Sequence, residues 1–394
     1  MQLNSHDEWS PLKEVVVGSA ENYTSHDREI SFDVFFHENL STPEYAYPRL
    51  VESKAATTSD RAWRIDERYV SELNEDVEGL VTALKGLGVR VHRPLPLPEN
   101  TAPISGLGWN AMPTPALNIR DNTLILGDEI LETPPAIRSR YLETRLLAPV
   151  YQSYFEQGAR WTTMPRPILT DRSFDQSYAL DGDDTLKTMR RDESGGVRSL
   201  GGPTEPVTGV DESPFDVGFE MMFDGAQCIR LGRDLIVNCA NENHSRAVDW
   251  LERHLRDTYR VHQVYRMSDN HIDSMLLALK PGVFLARHEG IREMLPEQFR
   301  KWKFIVPPVP DISSFPQYDS RDLVLTSPYI DLNVLSVGPD LVLVNEACKE
   351  LIVTLEGEGF TVVPVQHRHR RLFGGGFHCF TLDTVREGAL EDYS

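Results

Sequence analysis

The chain has 394 residues, 40% hydrophobic and 25% charged, which is ordinary globular composition. Sixty acidic against 40 basic side chains give a net charge of −20, which disfavours nucleic acids and anionic membranes as partners and favours a cationic ligand. Four cysteines without a CxxC pair argue against a disulfide framework or a structural zinc site. No apolar stretch is long enough to span a bilayer and the polar N-terminus is unlike a targeting peptide, so we expect a reduced, cytoplasmic protein.

One pattern recurs along the chain, in which two β-rich apolar runs joined by a turn lead into a helix and a further strand. The first predicted unit has a strand at 14–18, a helix at about 73–87 and a strand at 89–91. The next has a hairpin at 116–132 turning at Asp121-Asn122, a helix at 137–157 and a strand at 160–162. The other three have hairpins at 228–238, 275–286 and 332–345, helices at about 247–255, 290–303 and 347–356, and strands at 259–264, 304–306 and 360–365.

Five similar ββαβ units predict a closed ring, because each helix-backed sheet needs neighbours to complete its core. The remaining strand-like segment 376–385 would pair with the first unit and close the circle. Although the length alone favours two or three domains, the repeats favour a single domain over residues 1–394. A multi-domain α/β protein with coincidental hairpins is the alternative.

Two stretches do not fit the repeat, and both are candidates for lids over a site. Residues 20–66 are polar with scattered aromatic side chains, and residues 171–218 are rich in glycine and aspartate. Loops of this length are usually functional covers or disordered segments.

Cys379 follows three consecutive glycines in the string Gly374-Gly375-Gly376-Phe377-His378-Cys379. Glycines without a Cβ permit a close backbone approach or positive φ values. The string is therefore compatible with a nucleophile at the mouth of the ring, and equally with a buried, inert cysteine at a strand entry.

Further candidates lie near the predicted strand starts of other units. His271 and Asp273 are two residues apart in a predicted strand, so both would face the same side, as an acid/base pair or as a surface pair. Asp224 precedes a hairpin, where an acidic residue is usually a solvated cap, and Asp121 lies in what reads as a polar turn. A closed ring would bring these strand starts together around a small cationic ligand.

An ordered series of sequence blocks resembles the arginine amidinotransferases, which include glycine and inosamine-phosphate amidinotransferases. The blocks are Arg120-Asp121, Glu132-Thr133-Pro134, Arg138-Ser139-Arg140, 158–163, 223–226, 232–234, 271–273 and 374–379. The resemblance extends from about Asp7 to the C-terminus. It implies the fold of that family, a pseudosymmetric five-bladed α/β propeller of ββαβ modules (pentein-type). It also implies catalysis without a metal or other cofactor, and a homodimer is expected.

The resemblance also implies a role for each matching residue. Cys379 corresponds to the nucleophile, His271 to the general acid/base, and Asp224 to the carboxylate that partners the histidine. Asp121 and Asp273 correspond to the residues that bind the guanidinium of L-arginine. The amidino group would pass from arginine to Cys379 and then to an acceptor amine in ping-pong fashion, releasing ornithine and a guanidino product.

Three positions bear on the rest of the substrate site. Ser327 corresponds to a position beside bound substrate in the glycine-specific relatives. Asn270 replaces a methionine of a longer loop in those relatives, which favours an acceptor larger than glycine, such as a secondary-metabolite amine. The arginine that recognises the substrate carboxylate in the family has no direct match, so Arg287 or Arg292 would have to replace it.

Two alternatives remain open at the sequence level. One is a guanidine-hydrolysing enzyme similar to arginine deiminase, which would yield citrulline. The other is a non-catalytic ligand-binding propeller, although a binding protein needs no thiol at Cys379.

Overall fold

The computed structural model describes residues 1–23, 29–36, 65–174, 220–318 and 324–394, together with the backbone of 25–27, 62–64, 189–191 and 197–199. In chain order the strands are β1 Leu12–Val17, β2 Ser25–Asp27, β3 Ala62–Arg64, β4 Arg90–His92, β5 Ile104–Ser105, β6 Asn110–Ala111, β7 Thr123–Leu126, β8 Glu129–Glu132, β9 Arg160–Thr163, β10 Met189–Arg191, β11 Val197–Ser199, β12 Cys228–Leu231, β13 Asp234–Cys239, β14 Arg260–Tyr265, β15 Leu276–Lys280, β16 Val283–Ala286, β17 Lys303–Ile305, β18 Leu335–Gly338, β19 Leu341–Asn345, β20 Thr361–Val365 and β21 Thr381–Arg386. The α-helices are α1 Ile30–Phe35, α2 Glu67–Gly86, α3 Ala148–Glu156, α4 Glu242–Leu255, α5 Ile291–Met294, α6 Glu297–Arg300, α7 Lys349–Gly357 and α8 Arg370–Phe373.

Five three-stranded sheets in the described part of the chain share one topology. Their strand orders are β21-β1-β4, β7-β8-β9, β12-β13-β14, β15-β16-β17 and β18-β19-β20. In each sheet the first two strands are antiparallel and the third is parallel to the second. This is the predicted five-bladed α/β propeller of ββαβ modules.

The ends of the chain meet in one sheet. Strand β21 pairs antiparallel with β1, with Val17 opposite Thr381 and Leu12 opposite Arg386. The prediction that the C-terminal segment completes the first unit is therefore confirmed.

Apolar periodicity and capping determine the helices that back the sheets. Helix α2 begins after Asp66, whose carboxylate accepts the Arg68 N–H at 2.9 Å, and it buries a face that includes Leu73, Leu80 and Leu84. Helix α4 begins after Asn241 in the same way, with the side-chain oxygen of Asn241 accepting the N–H of His244 at 3.0 Å. Each buried helix face covers its own sheet, so the apolar cores lie between sheets and helices.

The centre of the ring is polar. Arg230 on β12 contacts the carboxylates of Glu8 and Asp383 at 2.9 and 2.6 Å, and Arg120 also bonds to Asp383. All four side chains are buried. Buried charges need partners of opposite sign, and here the partners come from different units of the ring.

Two sequence predictions about the candidate site residues were wrong. The hairpin of the second unit turns at Gly127-Asp128 between β7 and β8, so Asp121 lies in the loop that precedes the hairpin. His271 and Asp273 lie in a turn before β15, where the N–H groups of Met275 and Leu276 both bond to the Ile272 carbonyl. Those bonds curl the chain, so the alternation of an extended strand does not apply there.

The helices of two units are shorter than predicted. In the second unit the segment 138–147 forms 3₁₀ turns and α3 begins only at Ala148, with Pro149 in its first turn. In the fourth unit Pro296 separates α5 from α6, because proline lacks the N–H that a continuous helix requires.

The two long excursions contain some regular structure. In the first, β2 pairs with β3 and α1 lies between them; in the second, β10 pairs with β11. Most of both predicted lids, residues 37–61, 175–188 and 200–219, lies outside the described residues. Among the described residues, no helix is both long and apolar enough to cross a membrane.

Candidate active site

The turns that precede the first strand of each sheet converge on one pocket. Cys379, Asn333 and Asp121 each lie two residues before such a strand, namely β21, β18 and β7. His271 and Asp273 precede β15, and Asp224 precedes β12. The pocket encloses about 990 Å³ of empty space that is partly open to solvent.

The glycine string allows the Cys379 turn to pass close to its neighbours. A Cβ on Gly375 would lie 2.2 Å from Asn118 Oδ1, and one on Gly376 would lie 2.7 Å from Asn333. The side-chain oxygen of Asn333 accepts the Cys379 N–H at 2.9 Å. The predicted close backbone approach is confirmed, and it fixes the turn that carries the thiol.

The Cys379 thiol faces acidic groups. Its Sγ lies 3.3 Å from Asp273 Oδ2, and Sγ, a His271 ring nitrogen and an Asp121 oxygen lie within 4.8 Å of one another. Burial, followed by the charges of Asp273 and Asp121, holds the pKa of this thiol well above its usual range. The surroundings of the thiol therefore favour its protonated form at neutral pH.

His271 lies between two carboxylates. Its Nε2 is 2.9 Å from Asp224 Oδ2, and its Nδ1 is 3.9 Å from Asp121 Oδ1. Burial lowers the pKa of this imidazole, but the carboxylates of Asp121 and Asp224 outweigh it and raise the pKa to about 9. At neutral pH the ring is consequently an imidazolium that can donate a proton.

The two carboxylate oxygens of Asp121 differ, because one accepts a hydrogen bond and the other has no hydrogen-bond partner among the described residues. Arg140 donates to Asp121 Oδ2 at 2.5 Å, while also bonding both oxygens of Glu143 and the carbonyl of Asn118. Asp121 Oδ1 is buried without a hydrogen-bond partner among the described residues, as is Asp224 Oδ1. Unpartnered buried carboxylate oxygens are costly, and a guanidinium N–H would satisfy them.

The pKa values of Asp273 and Asp121 are shifted in opposite directions. For Asp273, burial alone would raise the pKa of its carboxyl group, but the hydrogen bond from His378 at 2.8 Å together with the positive charges of His378 and His271 outweighs burial and lowers it. Burial raises the pKa of Asp121 despite the nearby His271 and Arg140. Together the two carboxylates give the pocket the negative character that a cation requires.

The remaining predicted substrate residues also reach the pocket. Ser327, Asn270 and Arg287 all line it, and the Arg287 guanidinium lies 4.0 Å from the centre of the Tyr329 ring. Arg292 does not line it, because its guanidinium packs on Phe304 and bonds to the Arg300 carbonyl. Of the two arginines that the sequence left open, the structure therefore places Arg287 at the site.

Sequence reasoning missed several residues of the site. Asn333 could have been found, because it occupies in the fifth unit the position that Asp121 occupies in the second. Arg140 lies within a recognised block but carries no local sign of its bond to Asp121. Phe32 and Phe35 of α1 and Phe36, the residue after it, line the pocket, although the sequence of their segment showed only scattered aromatic side chains.

Asp121, His271 and Cys379 are also the residues that could hold a metal ion. Within the described ranges they form the one group of three or more His, Cys, Asp or Glu donors close enough to do so. The same three groups are those that guanidinium chemistry needs: an anion, a proton donor and a nucleophile.

Known proteins are similar to this chain over nearly its whole length. No protein-family model matches it. Inosamine-phosphate amidinotransferase 1 of Streptomyces griseus is 31% identical over 401 residues, covering 99% of both chains. Mitochondrial glycine amidinotransferase of Danio rerio is 31% identical over 407 residues, covering 99% of this chain and 84% of that protein. L-Arginine:L-lysine amidinotransferase of Pseudomonas savastanoi pv. phaseolicola is 30% identical over 400 residues, covering 99% and 96%.

Solved structures agree in fold. The inosamine-phosphate amidinotransferase of Streptomyces griseus superposes with a TM-score of 0.77 at 29% identity, covering 99% of each chain. An amidinotransferase of the saxitoxin biosynthetic pathway from Microseira wollei gives 0.75 at 28% identity, covering 100% and 99%. A dimethylarginine dimethylaminohydrolase, at 12% identity and a TM-score of 0.53, shares the pentein fold. By its end-to-end similarity to enzymes that transfer amidino groups, this chain belongs to the amidinotransferase family.

Proposed function

We propose that this enzyme transfers the amidino group of L-arginine to an acceptor amine through a covalent adduct on Cys379. The observation that carries the proposal is the grouping of a thiol, an imidazole and a carboxylate within 4.8 Å of one another in a pocket with unpartnered carboxylate oxygens. A binding site for a guanidinium requires the carboxylates but has no use for the thiol.

Binding of arginine prepares the nucleophile. The guanidinium places its positive charge beside Asp121 and Asp273, which offsets the two charges that oppose ionisation of Cys379. The thiol proton is then released to solvent. Arg287 and Ser327 lie where they could bind the amino acid end of the substrate.

The thiolate attacks the guanidinium carbon, and the resulting tetrahedral carbon expels the side-chain nitrogen of ornithine. An amine leaves readily only if that nitrogen is protonated, so the His271 imidazolium donates its proton as the carbon–nitrogen bond breaks. Asp224 fixes the ring from the other side at 2.9 Å. Neutral ornithine leaves, and the amidino group remains on sulfur.

In the second half of the reaction the proton moves in the opposite direction, from the substrate to His271. The acceptor amine enters, attacks the amidino carbon and gives a proton to the now neutral His271. The carbon–sulfur bond breaks and the thiolate is regenerated, which is a ping-pong cycle with no cofactor.

Intact-protein mass spectrometry after incubation with L-arginine alone tests the proposal. We expect one amidino group on Cys379 and release of one equivalent of ornithine. Cys379→Ser should give neither, whereas Cys228→Ser, which changes a buried cysteine outside the pocket lining, should give both. Formation of ammonia and citrulline in place of ornithine would establish guanidine hydrolysis and refute transfer.

We further propose that the acceptor is an amine larger than glycine, of the kind used in secondary-metabolite biosynthesis. The similar proteins bear the names of glycine, L-lysine and inosamine-phosphate transferases, so acceptors differ within the family. The pocket is lined by three phenylalanines, Phe32 and Phe35 of α1 and the adjacent Phe36, as well as by Asn270. Discharge of the Cys379 adduct by a panel of amines tests the proposal, and glycine as the fastest acceptor would contradict it. A homodimer, a cytoplasmic location and a single domain stay predictions of the sequence.

A further inference from the structure

His378, the residue before the nucleophile, lies between two buried carboxylates. Its Nδ1 is 2.8 Å from Asp273 Oδ2, and its Nε2 is 3.3 Å from Glu8 Oε2. His378, Asp273 and Glu8 are all buried. The ring thus bridges the pocket and the polar centre of the propeller.

This geometry determines the charge of the ring. An ionised carboxylate can only accept hydrogen bonds, and a neutral imidazole has a single N–H. Glu8 is ionised, because Arg230 donates to its two oxygens at 2.9 Å each. Asp273 is ionised as well, since its pKa lies below the usual range. Each ring nitrogen of His378 therefore faces an acceptor, so both carry hydrogen and the ring is an imidazolium.

Asp273 Oδ2 receives this imidazolium on one side and the Cys379 thiol, at 3.3 Å, on the other. A buried carboxylate without a cationic partner tends to take up a proton. A protonated Asp273 would lose most of its attraction for a guanidinium. The charge of His378 opposes that protonation, and its hydrogen bond fixes the direction in which Asp273 points.

Other charged groups surround this chain of contacts. The pocket side holds Asp121 with its partner Arg140, and His271 with Asp224. The side towards the centre of the ring holds Arg120 and Arg230, together with Asp383. The charge of His271 also favours ionised Asp273, but among the described cations it is His378 that forms a hydrogen bond with the Asp273 carboxylate.

We propose that His378 is a positioning residue that keeps Asp273 ionised and aimed at the substrate guanidinium, with Glu8 as the anchor that keeps the ring doubly protonated. The inference rests on the proposed function, in which Asp273 binds the guanidinium beside the nucleophile Cys379. It adds a second histidine to the site, one that acts through Asp273 and never touches the reacting atoms.

The test is the pH dependence of single-turnover ornithine release by His378→Asn. Asparagine can still donate a hydrogen bond to Asp273 but carries no charge. Relative to wild type, the ratio of the rate at pH 8 to the rate at pH 5 should rise at least about twofold, because a buried Asp273 without its cationic partner has a raised pKa, and a pKa of about 5 or above protonates half or more of it at pH 5. A purely structural role would lower the rate by the same factor at both pH values, and that result would overturn the proposal.

Two further variants complete the design. Glu8→Gln removes the charge of the anchor and leaves the His378 side chain unchanged. The ratio of the rates at pH 8 and pH 5 should rise by a smaller factor than in His378→Asn. This variant can therefore replace His378→Asn if that protein does not fold. An unchanged ratio in Glu8→Gln would also count against the proposal. His262→Asn is the matched control, because His262 forms a similar pair with Asp234 at 2.6 Å on an outer strand and should leave the ratio unchanged. Absence of the arginine adduct in wild type would reject the proposed function instead, which separates the two failures.

Discussion

At the scale of single residues, the site places carboxylates beside both a thiol and an imidazole. The local sequence around each residue does not show these contacts. The carboxylates around Cys379 suppress its ionisation and promote protonation of His271. The empty site therefore holds an unreactive thiol and a charged acid. Both states suit the proposed reaction, in which an arriving cation offsets the carboxylate charges that oppose ionisation of the thiol.

His271→Asn should remove a pH-dependent part of the stability. The pKa of His271 is raised to about 9 in the folded protein, against about 6.5 when unfolded. Its contribution is therefore complete below pH 6.5 and is lost as the pH rises through 9; the magnitude is on the order of 3 kcal/mol. Urea unfolding of both proteins at pH 6 and pH 10 measures it. An equal difference in the free energy of unfolding at the two pH values would show that the raised pKa is absent.

Elements position these residues through contacts across the ring. Helix α1 illustrates this, because its Phe35 ring packs edge-on against the His271 ring with centroids 5.2 Å apart. The Asn270 side chain donates to the Phe35 carbonyl, which ties the helix to the turn before β15. An apolar cover at this place would exclude water from an amidino group on Cys379.

Phe35→Ala should open the site to water. We expect adduct formation to persist while hydrolysis of the adduct, which yields urea, increases several-fold relative to transfer. Quantifying urea and guanidino product in the same reaction checks this. Phe155→Ala is the control, since Phe155 on α3 is 53% exposed and should leave the product ratio unchanged. An unaltered urea fraction in Phe35→Ala, with the adduct still formed, would rule out α1 as the cover.

At the scale of the whole molecule, closure of the ring depends on buried charges as well as on apolar cores. Arg230 bonds to Glu8, Ser5, Asp383 and the Ile125 carbonyl, and so joins the N-terminal segment to three other parts of the chain. Arg120 in turn donates to the carbonyls of His378 and Thr381, on both sides of Cys379. Hydrogen bonds from the charged centre of the ring thus fix the backbone on both sides of Cys379.

Arg230→Met should destabilise the protein strongly, because it leaves the carboxylates of Glu8 and Asp383 buried beside a neutral side chain. The expected loss in the free energy of unfolding is about 3–5 kcal/mol, measured by urea titration at pH 7. Arg246→Met disrupts an exposed pair with Glu242 on α4 and should cost less than about 1 kcal/mol. Similar losses in the two variants would mean that the central ion pairs do not hold the ring together.

Much of the architecture is readable from the sequence, because its signals are local. The hairpins at β12–β13 and β18–β19, and the helices α2, α4 and α7, follow apolar spacing and turn residues. The errors occurred where a few backbone bonds decide the outcome, as in the curled turn at His271 and the 3₁₀ segment after Ile137. The roles expected for Cys379, His271 and Asp224 came from resemblance, and their proximity is a property of the fold.

The sequence by itself determined the repeating unit and the acidic character, since periodicity and charge are carried by neighbours in the chain. It named candidates for the reactive residues only through short motifs that resemble those of a family. Only the tertiary structure decided which residues line the pocket and which contact its lining: Arg140 bonds to Asp121, His378 lies between Asp273 and Glu8, Asn333 accepts the Cys379 N–H, and Arg287 lines the pocket where Arg292 does not. These pairings join residues from different units of the ring or from distant points along the chain. Their geometry depends on how the blades close around a common centre, which no local pattern encodes.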